Sequence, residues 1–198
     1  MLFRKSAEVP AKIREAKIES WYSKLGDQDR MKLSRYLESA DGSSHYAFFS
    51  STTDAALADE NPKFAVTLCE QAYGFELTDY QKFCMNERLI EAYIGAARYD
   101  DVKAACAANF DMFPSIRDEL VRENGCIPKK LNFRNRYIDI IVGVDSSYDL
   151  AFEMLEKYNK MGILDDDELQ FRVNSLKTHR LQRVFDGVYS YRPANEDR

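Results

Sequence analysis

Apolar residues in this chain recur at i, i+3, i+4, i+7. Ile18, Trp21, Tyr22 and Leu25 keep that spacing, as do Leu33, Tyr36, Leu37 and Ala40. Ala65, Leu68, Cys69 and Ala72 repeat it, and so do Ala151, Met154, Leu155 and Tyr158. Such spacing lays side chains along one face of a helix. Strand-like alternation is missing except over Tyr137–Val144, which reads as a buried helix. Glycine and proline are scarce, eight and five in 198 residues. A β-sandwich or barrel, which needs a turn every ~8–12 residues, is thereby excluded. The expected fold class is all-α.

Start signals sharpen the segmentation. Asn61-Pro62 sets a capping residue before a proline at the first helical position. Thr78 with Gln81 has the spacing of a capping box. Ser147 precedes the stretch to Tyr158 as a cap, and Asp165, Asp166, Asp167 and Glu168 open the last helix, where negative charge meets the positive end of the dipole. Gly26, Gly42, Gly74, Gly95, Gly125, Gly143, Gly162 and Gly187 fall near helix ends, as left-handed terminators would. Helices are expected at 10–25, 27–40, 44–59, 62–74, 78–95, 99–110, 114–124, 132–143, 147–161 and 166–187. Linkers this short turn neighbouring helices antiparallel, so the chain reads as stacked helical hairpins. It is expected to form one domain over 1–198, with an N-terminal helix pair at 1–40 and a repeat region at 41–198.

Charge is unevenly spread around a net of −5. Residues 1–35 hold nine Lys/Arg against five Asp/Glu, whereas 41–116 hold five against twelve. The acidic stretch is either solvated surface or a groove selecting a basic or mixed-charge partner. Met1 to Glu8 contains no apolar leader, and the aliphatic run Ile138–Val144 includes Asp139 and is far too short to span a membrane. Cys69, Cys84, Cys106 and Cys126 are separated by 15, 22 and 20 residues, without the close pairs of structural zinc. Reduced, buried thiols in a cytoplasmic protein are expected.

Leu89-Ile90-Glu91-Ala92-Tyr93-Ile94-Gly95-Ala96-Ala97-Arg98-Tyr99-Asp100-Asp101-Val102, continuing to Cys106, Phe110 and Pro114, resembles one tetratricopeptide repeat. A large apolar residue is followed four later by an aromatic, and a turn then leads into a second apolar face. Ile138, Val142, Gly143, Tyr148-Asp149-Leu150-Ala151, Leu155 and Tyr158 keep the same order 49 residues further on. Met161-Gly162-Ile163 before Asp165-Asp166 resembles the end of a pentatricopeptide repeat. The spacing differs from the ~34 residues of a regular array. The resemblance therefore implies an irregular, tetratricopeptide-like α-α superhelix and, with it, a scaffold that binds a protein or peptide on a concave face.

On that reading the groove residues are Glu87, Arg88, Glu91 and Tyr93, on the first helix of a hairpin. The alternative is an RNA-associated protein using Lys129, Lys130, Arg134 and Arg136, where Phe133 and Tyr137 interleave with the cations. A self-associating structural protein, with surplus aromatics covering an oligomer interface, is a further reading. Arg172, Lys177, His179, Arg180 and Arg183 of the last helix follow from helix polarity alone. Arg4, Lys5, Lys12, Arg14 and Lys17, with Arg30, Lys32 and Arg35, mimic a helix-turn-helix, but Leu33, Tyr36, Leu37 and Ala40 form a face that wants burial. His45 and His179 have no local partner for a catalytic triad. Glu87 and Glu91 lie one turn apart, yet no Glu-x-x-His motif accompanies them, and no glycine-rich phosphate loop occurs. The expectation is a non-catalytic protein with no metal and no cofactor.

Overall fold

The computed structural model describes residues 9–189, and Arg4 and Lys5 of the N-terminal basic set lie outside them. The protein is all-helical over the described residues. The helices are α1 (Ala11–Glu15), α2 (Glu19–Lys24), α3 (Asp27–Ser34), α4 (His45–Ala58), α5 (Pro62–Ala72), α6 (Asp79–Gly95), α7 (Tyr99–Asn124), α8 (Asn132–Gly143), α9 (Tyr148–Lys160) and α10 (Asp166–Tyr189). No helix among the described residues is long and apolar enough to cross a membrane. Two compact units form, one ending at Arg136 and the other beginning at Tyr137. The division falls inside α8.

In the first unit α4 packs on α5, α5 on α6 and α6 on α7, and α4 also touches α6. Their buried faces hold Phe48, Phe49, Leu68, Phe83, Ile90, Val102 and Phe113. Each such side chain contributes roughly 1.5–3 kcal/mol by leaving water. The N-terminal helices close one end. Trp21 packs edge-on against Phe49 at 4.9 Å and donates its indole N–H to Gln71 at 3.0 Å. Tyr36 stacks on Phe64 and donates its hydroxyl to Asp59 at 2.9 Å, so the face of Leu33, Tyr36 and Ala40 is buried as its composition demands. In the second unit α9 packs on α10 around Ala151, Leu155 and Tyr158.

Several expectations are corrected. The helix expected over 10–25 is two, because Lys17 turns left-handed at φ 58°. Ile18 N–H then reaches the Ile13 carbonyl at 3.2 Å and Lys17 N–H the Arg14 carbonyl at 3.1 Å, which is a Schellman closure. Glu60 and Ala97 end α4 and α6 in the same way, at φ 52° and 57°. Among the described glycines, the left-handed ones are Gly125 and Gly162. The helices expected at 99–110 and 114–124 are one, α7, with Pro114 inside it. Pro114 is exposed, so its ring is accommodated at the cost of one backbone hydrogen bond. Helix α3 stops at Ser34 and turns follow to Ser39.

The caps divide similarly. The Thr78–Gln81 capping box is formed, and the Asp165 carboxylate accepts the Glu168 N–H at 2.7 Å. Asn61 and Ser147 make no side-chain cap; the Asn61 amide donates instead to the Tyr36 hydroxyl at 3.2 Å. Of the thiols, Cys69 and Cys106 are buried, Cys84 is half-buried and Cys126 is exposed.

Candidate functional site

One stripe of α6 faces a trough in the first unit. Tyr80, Phe83, Cys84, Glu87, Arg88 and Glu91 follow the spacing of a single helix face and border a cleft of about 320 Å³. Asp54 and Leu57 of α4 form one wall, while Leu120 and Asn124 of α7 and Lys130 and Leu131 of the α7–α8 loop form the other. Leu57 and Glu91 also border a second cleft of about 440 Å³ with Glu60, Pro62, Ile94 and Gly95. These shared residues join the two into a trough along α6. Its length, from Tyr80 to Gly95, is about 22 Å at the helical rise.

The charged side chains of the stripe are held in place. Arg88 binds Asp54 in two parallel hydrogen bonds, Nε to Oδ1 at 2.8 Å and Nη2 to Oδ2 at 2.9 Å. Such a planar fork fixes both side chains. Glu91 accepts from Nε and Nη2 of Arg136, each at 2.9 Å. Glu87 lies deepest. Its carboxylate accepts the backbone N–H of Asn132 at 2.5 Å and of Phe133 at 3.1 Å, and the Asn109 amide at 2.8 Å. The Asn132 amide donates back to the Glu87 carbonyl at 3.0 Å. The first N–H groups of a helix have no partner within it. Glu87 therefore caps α8 from a position 45 residues away. Burial pushes its carboxyl above the usual carboxylate range, and the bonds from Asn109, Phe133 and Asn132 offset part of that rise. Phe133 anchors the same turn between Phe83 at 5.7 Å and Phe113 at 6.0 Å.

Neutral groups line the Tyr80 end of the trough. The Cys84 thiol hydrogen-bonds with the hydroxyls of Tyr46 and Tyr80. Burial raises the thiol and pushes Tyr46 up to about 12, so both stay protonated at neutral pH. The trough thus combines two fixed charge pairs with protonated hydroxyls and apolar side chains.

The structure thus brings Glu87, Arg88 and Glu91 onto one trough, together with Lys130. Tyr93 is elsewhere: it is buried, with the Arg98 guanidinium 4.5 Å from its ring centre and its hydroxyl 3.5 Å from Glu70. Of the four cations expected as one basic patch, two are engaged within the fold. Arg134 is 1% exposed and donates to the Lys129 carbonyl and, at 3.2 Å, to Asn135. Arg136 serves Glu91, while Lys129 and Lys130 are exposed.

Sequence reasoning missed Asp54, Asn109 and Asn132, whose partners lie 34, 22 and 45 residues away. His45 donates to the Glu76 carbonyl at 2.9 Å and stacks on Phe75, and His179 shares a 2.8 Å hydrogen bond with the Tyr148 hydroxyl. Among the described residues no group of three His, Cys, Asp or Glu is placed to hold a metal ion. Comparison with known protein families, with curated proteins and with solved structures gives no match.

Proposed function

We propose that this protein is a non-catalytic, peptide-binding scaffold of tetratricopeptide-like helical hairpins, and that its binding site is the trough along α6. The observation that carries this reading is the trough itself, bordered by α6 from Tyr80 to Gly95 and walled by α4, α7 and the α7–α8 loop. Packing of α4 on α5 and α6 on α7, with α4 also touching α6, is the pattern that stacked hairpins generate. Leu57 supplies apolar contact, and the Arg88–Asp54 and Arg136–Glu91 pairs offer fixed polar edges. Lys130 lies on one cleft and Glu60 on the other, which suits a ligand of mixed charge.

Selection of a random peptide display library on the intact protein tests the proposal, followed by hydrogen exchange with the best binder. Enrichment is expected, with slowed exchange along α6 and the Lys130–Asn132 segment. Failure to enrich any peptide, or protection confined to other helices, would refute it.

A further inference from the structure

Helix α10 carries the largest exposed apolar side chains of the second unit. Phe171 is 74% exposed, Leu181 and Val184 are each 59% exposed, and Phe185 is 57% exposed. The opposite face of the helix is engaged: His179 bonds to Tyr148, Arg180 to Asp149 at 3.0 Å, and Arg183 to Ser146 at 2.7 Å. The exposed residues are not scattered. Phe171, Thr178 and Phe185 recur every seven residues, with Asn174 and Leu181 three places after the first two, which is the a/d pattern of a two-helix seam.

We infer that this seam is a self-association surface on which α10 of a second copy packs antiparallel. Three features favour a second copy. First, of the flanking positions Glu168, Gln170, Ser175, Lys177, Gln182 and Val184, two are charged and of opposite sign, so like meets like without a net charge to repel. Second, antiparallel packing sets the acidic first turns, Asp166 to Glu168, at opposite ends and runs the helix dipoles head to tail. Third, the area suffices for a weak dimer. Taking roughly 200 Å² for an aromatic side chain, the four apolar residues offer on the order of 400 Å² per copy. With the polar flanks, the total over two copies reaches about 1,000 Å², the lower limit for a specific interface.

Sedimentation equilibrium of the full chain across the micromolar range tests this. The average mass is expected to rise from one chain toward two. The Leu181→Glu/Phe185→Glu variant is expected to stay at one chain throughout. Its helical circular dichroism and thermal midpoint are expected to match the wild type, since both side chains are exposed. A wild-type chain that remains monomeric would leave the seam to a different protein or to the chain's own terminus, and would overturn the inference. So would a dimer that survives the double substitution.

Discussion

Replacing Glu87 probes the contact that ties α8 to α6. In Glu87→Ala the backbone N–H groups of Asn132 and Phe133 lose their acceptor, and the Asn109 amide keeps only the Phe83 carbonyl at 3.2 Å. A buried donor left without a partner costs ~1–3 kcal/mol, and a lost N-terminal cap ~0.5–2 kcal/mol. Removing a desolvated carboxylate returns part of this. The net expected loss is about 2–4 kcal/mol, a large share of the ~5–15 kcal/mol that holds a domain folded. In Glu87→Gln an acceptor oxygen remains and the buried charge is gone, so stability stays within ~1 kcal/mol of the wild type.

Trp21, the one tryptophan, packs on Phe48 and Phe49 and reports unfolding of the first unit. Urea titrations followed by its fluorescence therefore give the comparison directly. At a slope of ~2 kcal/mol per molar, the alanine midpoint falls by about 1–2 M. An alanine variant within ~0.5 kcal/mol of the wild type, or a glutamine variant as unstable as alanine, would refute the reasoning.

The pH dependence has a fixed sign. A carboxyl raised by folding binds its proton more tightly in the folded chain than in the unfolded one, where its value is ~4.3. Its contribution is therefore fully present below the unfolded value. It is lost as pH rises through the folded one. The stability of the wild type relative to Glu87→Gln should fall over that window, and a difference that rises instead would contradict burial as the dominant cause.

Ala97 closes α6 in the left-handed region at φ 57°, where a Cβ costs ~1–2 kcal/mol, so Ala97→Gly should raise the urea midpoint. Gly95→Ala should lower it, because the new Cβ would stand 2.7 Å from the Pro62 Cβ; the overpacking cost of ~1–3 kcal/mol exceeds the ~0.5–1 kcal/mol that alanine gains in a helix. Cys126 alone should react promptly with a thiol reagent in the native protein, since Cys69 and Cys106 are buried and Cys84 is half-buried with a raised thiol; four thiols should react after unfolding.

Helix positions were legible because burial imposes a period that sequence displays directly, and α4, α5, α6, α8 and α9 lie within a few residues of expectation. Pro114 misled because a proline reads as a stop, yet on an exposed face of α7 the chain tolerates the lost bond. Lys17, Glu60 and Ala97 were illegible as terminators, since nothing local marks a non-glycine residue for positive φ. Within the trough, Glu87, Arg88 and Glu91 could be picked out as one helix face. Their roles could not, because Asp54, Asn132 and Arg136 reach them only through tertiary packing. Arg134 shows the same limit from the other side: a cation beside exposed lysines reads as surface, and the fold buries it against the Lys129 carbonyl.

Binding along α6 is tested most directly by the affinity of a selected peptide for two single-charge variants. Leu57 borders both clefts of the trough, whereas Leu150 lies on α9 in the second unit and is 37% exposed. Desolvating a lysine against an apolar anchor costs several kcal/mol, so Leu57→Lys should weaken the peptide by at least about 30-fold. Leu150→Lys should leave the affinity within about twofold. Equal affinity for Leu57→Lys and the wild type, with the urea midpoint of Leu57→Lys unchanged, would contradict the trough as the binding site.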